Sequence, residues 1–132
     1  MQPLSAETKK RILGEIVTHF TQEATRPGAS AEEKSEFQRL ATVFRFFPAR
    51  PYEKTDFVWA GSLMRLELGS RSALYFLVPQ GGGLILAVDG EPVQVITDQS
   101  PLGSALLGRH MGDSVEVPNR AEKRTYRLVD HV

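Results

Sequence analysis

The chain has 132 residues, 16 basic and 16 acidic side chains, a formal charge of zero and no cysteine. This length suits one domain with its own hydrophobic core, and the lack of cysteine excludes disulfides, thiolate metal sites and cysteine nucleophiles. Because no apolar run approaches the roughly 18 residues of a membrane span and the N-terminus lacks a signal-peptide core, the sequence predicts a soluble, cytoplasmic protein with no membrane partner.

The first part of the chain has the apolar spacing of two helices, separated by the breaker RPGAS at 26–30. Ser5 is placed to cap the first helix. Ser30 is followed three residues later by Glu33, which is the spacing of a capping box at the start of the second helix. The sequence therefore predicts an antiparallel helical hairpin over residues 1–47.

Residues 48–56 contain Pro48 and Pro51 and are predicted to be a linker. After them the apolar period changes from that of a helix to that of a strand. Asp89-Gly90 is a tight hairpin turn, and QGGG at 80–83 is predicted to be another hairpin loop. Strands are predicted at 62–68, 73–78, 84–89, 91–97, 113–118 and 125–132.

One short helix interrupts these strands, in the segment SPLGSALLGRHMGD at 100–113. Ser100 is a candidate N-cap, Pro101 suits the first helical position, and Gly108 suits the left-handed end of the helix. Gly103 is small enough to let this helix lie close to a sheet. The chain is therefore predicted to be an α+β protein, with residues 57–132 forming an antiparallel sheet and one short helix.

The same segment, extended to SPLGSALLGRHMGDSVEV, resembles the C-terminal signature of the bacterial Gre-type transcription elongation factors, GreA and GreB. VWAGSLMRLEL at 58–68 resembles the opening strand of their C-terminal domain, and KRTYRLVDHV at 123–132 its closing strand. The signature positions are Ser100, Pro101, Leu102, Gly103, Leu106, Leu107, Gly108, Gly112 and Asp113, to which we assign structural roles.

This resemblance implies an FKBP-like C-terminal domain and bacterial RNA polymerase as the partner. In the family, the C-terminal domain docks on the rim of the polymerase secondary channel and the hairpin enters the channel. The residues at the hairpin tip hold a magnesium ion at the polymerase active site, which promotes cleavage of backtracked RNA. Paired carboxylates suit this role because a hard divalent cation takes oxygen ligands.

The tip of this chain departs from the family motif, Gly-Asp-x-x-Glu-Asn-Ala-Glu-Tyr. When Glu33 is aligned with the motif glutamate, Glu36-Phe37 falls on Glu-Tyr and Ser30 falls on the aspartate, so one acid is missing. The tip candidates are Glu23, Ser30, Glu32 and Glu33, and Glu33 is the one magnesium candidate, only in complex with polymerase. Glu33 is also explained as a capping-box residue, and Glu23 as an exposed helical glutamate.

The predicted hairpin is also short. The 19 residues from Ser5 to Glu23 span roughly 28 Å and the 17 residues from Ser30 to Phe46 about 25 Å, whereas cleavage factors have a longer hairpin. This layout resembles the Gre-like regulators of nucleoside diphosphate kinase, which bind polymerase and are thought not to cleave. The resemblance implies a non-enzymatic, monomeric elongation regulator without efficient stimulation of cleavage.

Other functions are kept as alternatives or set aside. An FKBP-like fold raises prolyl isomerase activity as one alternative, and a hairpin adaptor independent of polymerase is another. Residues 1–50 carry 8 basic and 6 acidic residues and residues 51–132 carry 8 and 10, so nucleic acid is expected only indirectly, through polymerase. No cofactor is expected, and His19, His110 and His131 lack metal-ligand spacing. Phe57 and Trp59 are predicted to pack in the core.

Overall fold

The chain folds as a helical hairpin, a six-stranded sheet and one short helix in a computed structural model that describes residues 4–132. Residues 1–3 of the predicted hairpin lie outside the described residues. The predicted α+β class is confirmed. The elements are α1 (Ala6–Ala24), α2 (Ala31–Arg45), β1 (Leu63–Leu68), β2 (Arg71–Val78), β3 (Ile85–Val88), β4 (Glu91–Thr97), α3 (Pro101–Leu106), β5 (Ser114–Asn119) and β6 (Glu122–His131).

The strands lie in the order β3-β4-β2-β1-β6-β5. Two pairs, β1 with β2 and β5 with β6, are antiparallel hairpins, and β6 also pairs antiparallel with β1. The pair β3 and β4 is antiparallel as well and turns at Asp89-Gly90, where both residues have positive φ as a tight hairpin turn requires. After β4 the chain runs through α3 to β5 at the opposite edge.

The prediction of an entirely antiparallel sheet is wrong at one pair, because β2 and β4 are parallel, with Leu74 opposite Val93. The QGGG segment is correspondingly not a hairpin loop. It connects β2 to β3, which are not neighbours in the sheet. The next strand, β4, then lies between them. Strand order depends on tertiary packing, and consecutive strands are neighbours only about two-thirds of the time.

Glycines allow this crossing loop to lie flat against its neighbours. A Cβ on Gly81, which has φ +78°, would lie 2.8 Å from Cε2 of Phe44 in α2. A Cβ on Gly82 would lie 2.7 Å from Cγ2 of Thr97 in β4. The loop therefore fills the space between the hairpin and the sheet, which explains its glycine content without a phosphate-binding role.

Two hydrophobic clusters cover the two faces of the sheet. The hairpin residues Ile12, Ile16 and Phe44 pack with Leu63 and Phe76 on one face. On the other face, α3 packs over a second cluster that includes Met64, Leu66, Leu77 and Leu128. The central strands are buried on both sides, and this accounts for the continuous apolar run ALYFLV in β2.

A row of aromatic rings connects the hairpin to the sheet. Phe20 and Phe37 are 6.1 Å apart between ring centroids, and Phe20 and Phe44 are 5.9 Å apart. Phe47 lies 5.9 Å from Phe44 and 6.3 Å from Phe76 in β2. Aromatic pairs at these separations stabilise their contacts beyond simple area burial. The hairpin base is therefore packed on the sheet.

Residues 46–62 contain no helix or strand, and part of this segment is held by buried polar groups. The ammonium of Lys9 donates to the carbonyl of Arg50 at 3.1 Å and lies 4.5 Å from the ring centroid of Tyr52. The core placement predicted for the two aromatic residues at its end is wrong, since Phe57 is 59% exposed and Trp59 60% exposed. Their neighbour Val58 takes the core position instead.

The segment at 100–113 forms α3 and its stop. A Cβ on Gly103 would lie 1.9 Å from the carbonyl oxygen of Thr97, so this helix approaches β4 more closely than any other residue would allow. Gly108 has φ +77° just after the helix, and its N–H donates to the carbonyl of Val58 at 2.9 Å. Within residues 4–132, no helix is both long and apolar enough to cross a membrane.

Candidate functional site

The tip of the hairpin is the loop between α1 and α2, and Ser30 and Glu33 form a capping box there. The Oγ of Ser30 accepts the N–H of Glu33 at 3.1 Å, and the Oε1 of Glu33 accepts the N–H of Ser30 at 3.0 Å. Each side chain therefore satisfies a backbone donor that the first turn of a helix leaves free. The capping box predicted from the sequence is present.

Arg26 brings two of the predicted tip acids together. Its Nε lies 3.0 Å from Oε2 of Glu23, and its Nη2 lies 3.4 Å from Oε2 of Glu33. The sequence interpretation missed this arginine. The signal was its spacing, because Arg26 follows Glu23 by three residues, just past the end of α1, and faces Glu33 across the Pro27-Gly28 loop.

These contacts stabilise the ionised form of Glu33. Hydrogen bonds from the backbone and hydroxyl of Ser30, with the positive charge of Arg26, hold the pKa of Glu33 below its ordinary value. Glu33 is therefore a carboxylate at neutral pH, but one oxygen is engaged by the helix cap and the other by the guanidinium. Glu32 is exposed and makes no ion pair with any described residue.

The tip lacks the ligand set of a metal site. Among residues 4–132, no three His, Cys, Asp or Glu side chains stand close enough together to hold a metal ion. A guanidinium already lies between Glu23 and Glu33, where a cation would have to bind. The tip residues present here therefore do not fit a resident divalent cation.

The signature residues of α3 make structural contacts. The hydroxyl of Ser100 donates to the carbonyl of Thr97 at 2.7 Å and accepts the N–H of Gly103 at 3.1 Å. Pro101 occupies the first helical turn, and Leu106 is buried against the sheet with Leu102 and Leu107 packed beside it. These contacts form a capped helix anchored on β4.

The turn that follows α3 is also held by hydrogen bonds. The N–H of Gly112, which has φ +91°, donates to the carbonyl of Leu128 at 2.7 Å. The carboxylate of Asp113 accepts the N–H of His110 at 2.9 Å. The ring centroid of His110 lies 4.4 Å from that of Phe57, with the two planes tilted by 54°, so the ring packs against Phe57 and is not held by an acid that would orient it for catalysis.

A cavity of about 340 Å³ lies on the sheet face that α3 only partly covers. Tyr75 and Tyr126 line it, with ring centroids 6.3 Å apart, and burial raises the pKa of Tyr75. Its polar lining includes Arg71, Gln94 and Arg124. This cavity is the feature that bears on the isomerase alternative, which requires an aromatic-lined pocket.

The comparison with known families agrees with the signature. Residues 89–130 match the family model described as transcription elongation factor, GreA/GreB, C-term. This part of the chain is therefore similar to the C-terminal domain of the GreA/GreB factors. The match includes β4, α3 and β5 and ends within β6, while the three strands before it, β1, β2 and β3, lie outside it. The Gre-type resemblance read from SPLGSALLGRHMGD is confirmed.

Solved structures related to Gre factors have a similar fold. Gfh1 of Thermus aquaticus is 21% identical, with 96% of this chain and 88% of that chain covered and a TM-score of 0.49. The GreA/GreB elongation factor of Nitrosomonas europaea is 21% identical, with 100% and 99% covered and a TM-score of 0.44. At these scores they add no argument to the family match. No curated protein sequence matches this chain.

Proposed function

We propose that this protein is a non-enzymatic regulator of transcription elongation that binds bacterial RNA polymerase. Its Gre-type domain docks at the rim of the secondary channel, and its hairpin lies at the channel mouth. It acts in the cytoplasm as a monomer, needs no cofactor of its own and meets nucleic acid only through the polymerase. The family match over residues 89–130 supports the polymerase as partner.

The tip contacts support a regulator without efficient transcript cleavage. Ser30 stands where the family motif has an aspartate, and Arg26 pairs with the carboxylates of both Glu23 and Glu33. A tip that promotes cleavage has to present free carboxylate oxygens to a magnesium ion. The single observation that carries this part of the proposal is the guanidinium between Glu23 and Glu33.

The length of the hairpin supports the same conclusion. Its helices have 19 and 15 residues, which corresponds to about 28 Å and 22 Å at the usual helical rise. Their base is packed on the sheet through the row of aromatic rings, so only the end near the tip extends free of the domain. We infer that the hairpin blocks the channel entrance to other factors.

A binding assay tests the partner. The purified chain is expected to bind core RNA polymerase and to be displaced by a cleavage-competent Gre factor, because both use the same channel. No binding at micromolar concentration would overturn the proposal and favour an adaptor that acts elsewhere. Binding without any competition would overturn the location at the secondary channel while leaving the polymerase as partner.

A cleavage assay on stalled elongation complexes tests the tip. We expect no stimulation of cleavage above the intrinsic rate, with a cleavage-competent Gre factor as the positive control. Stimulation that disappears in Glu33→Ala, but remains in a Ser30→Ala control that also loses its cap, would show that Glu33 is a metal ligand.

The isomerase alternative is tested separately, by measuring proline isomerisation of a model peptide in the presence of the protein, and no acceleration is expected.

A further inference from the structure

A groove lies at the base of the hairpin, beside aromatic residues that pack it on the sheet. It has a volume of about 360 Å³ and lies between α1 and the chain that follows α2. Its apolar walls include Leu13 and Val17 from α1 and Phe44 and Phe47 from the other side. Phe46, which lies between Arg45 and Phe47 in the sequence, is 78% exposed.

Gly14 lies in this groove, near the middle of α1, and no contact within residues 4–132 requires a glycine there. A glycine within a helix costs about 1 kcal/mol relative to alanine. Its backbone is helical, so it does not need the conformations that only glycine reaches. A Cβ built on Gly14 meets no atom within 4 Å. The absence of a side chain here therefore keeps space open toward the outside.

The charged residues of the groove are basic. Lys10 and Arg45 line it, and no carboxylate does. Arg45 makes no ion pair with any other residue in 4–132, and Lys10 has only an exposed contact with Glu7 at 3.4 Å. Exposed pairs of this kind contribute little. The groove is therefore complementary to an apolar surface flanked by acidic groups.

We propose that this groove docks an amphipathic helix of RNA polymerase, with a large apolar side chain over Gly14 and carboxylates facing Lys10 and Arg45. The inference rests on the proposed function and adds a contact surface at the base of the hairpin. A glycine at the crossing point lets a second helix approach more closely than the usual 8–10 Å between helix axes. A ridge of apolar side chains on such a helix fills a groove of this shape.

A second copy of this chain is a poorer occupant. A two-fold interface places the same patch on both subunits. The groove contributes two cations and no carboxylate, so a symmetric contact would bring like charges together. This charge distribution favours a different, acidic partner.

The test is a substitution that fills the groove without harming the fold. Gly14→Leu enters open space and replaces a poor helix former with a good one, so its melting temperature is expected to equal or exceed that of the wild type. Its affinity for core RNA polymerase is expected to fall at least tenfold. The matched control is Glu15→Leu, an exposed position on α1 outside the groove, which is expected to bind within twofold of the wild type.

The charges are tested separately. The Lys10→Gln, Arg45→Gln double variant is expected to bind more weakly at low salt and to lose part of the salt dependence seen for the wild type, because screened charge pairs are removed. Binding to core polymerase is measured between 50 and 300 mM salt, on the order of a Debye length of 14 to 6 Å. Unchanged affinity and slope would overturn the acidic character of the partner helix.

The outcomes separate this inference from the proposed function. If the wild type binds polymerase and Gly14→Leu binds equally well, the groove is not a docking site and the proposed function stands. If the wild type does not bind polymerase, both are overturned. If sedimentation shows a dimer that Gly14→Leu dissociates, a second copy occupies the groove and the inference is wrong.

Discussion

The Nε2 of His131 lies 2.8 Å from the Oγ of Ser62, and neither side chain has any exposed surface. The hydroxyl of Ser62 also accepts the N–H of Trp59 at 2.9 Å, while the Nδ1 of His131 has no hydrogen-bond partner among the described residues. Tyr52 stacks on the histidine ring at 5.7 Å and carries Lys9 over its face. Two buried basic side chains thus join α1, the segment 46–62 and the sheet.

The buried histidine makes the fold sensitive to acid. Burial, with the nearby charge of Lys9, lowers the pKa of His131 from 6.5 to about 4. Between these values the unfolded chain binds a proton that the folded chain does not, so stability rises with pH across this window and is lost as pH falls through it. We expect a loss of about 3 kcal/mol between pH 6.5 and 4.

Urea denaturation at pH 7, 5.5 and 4.5 measures this loss. His131→Asn keeps a polar partner for Ser62 but cannot be protonated, so its stability is expected to change much less over the same range. An equal loss in the variant would assign the acid sensitivity to carboxylates elsewhere in the chain.

Lys9 makes the corresponding prediction at alkaline pH. Burial, with the charge of Arg50, lowers its pKa from 10.5 to about 8. Since the unfolded chain holds the proton up to a higher pH than the folded chain does, stability is expected to rise by about 3 kcal/mol between pH 8 and 10.5. The rise is measured by urea denaturation and should be absent in Lys9→Met. A rise of the same size in Lys9→Met would contradict this assignment.

The close approach at Gly103 predicts a severe effect of the smallest substitution. A Cβ there overlaps the carbonyl of Thr97 at 1.9 Å, and backbone atoms cannot move aside as a flexible side chain would. We expect Gly103→Ala to lower the free energy of unfolding by about 3 kcal/mol or more. Gly14→Ala is the control on an open helical site and should raise it by about 1 kcal/mol. Similar effects of the two substitutions on the midpoint would refute the packing argument.

Substitutions at Ser30 can separate the stability of the helix cap from the chemistry of the tip. Ser30→Ala is expected to lower stability by about 1 kcal/mol, because it removes the acceptor for the N–H of Glu33. Ser30→Asp should keep the stability near that of the wild type, since aspartate caps a helix as well as serine does. Thermal unfolding measures both changes.

Ser30→Asp also restores the acid that the family motif has at this position. We expect it to remain inactive in transcript cleavage as long as Arg26 holds Glu33 and Glu23. The double variant Ser30→Asp, Arg26→Gln tests this explanation. Cleavage by the Ser30→Asp single variant would show that the missing aspartate, and not the arginine, keeps the tip inactive.

Local signals in the sequence were sufficient to predict the helices and strands and to reveal the Gre-type resemblance. Helix caps are set by residues within one turn of each other, so Ser5, Ser30 with Glu33, and Ser100 could be located from the sequence. The turn at Asp89-Gly90 and the glycine after α3 also follow from local backbone conformation. The GreA/GreB match rests on the same stretch of sequence.

The tertiary structure decided those features that depend on contacts between residues distant in the sequence. The place of β4 between β2 and β3, and the exposure of Trp59, depend on which surfaces the hairpin and α3 cover. The ion pair between Arg26 and Glu33 requires the two helix ends to meet at the tip. The sequence by itself determined the helices, the strands, the caps and the Gre-type resemblance, because those follow from residues close together in the chain. Strand order and burial come from contacts between residues far apart in the chain, and only folding brings those together.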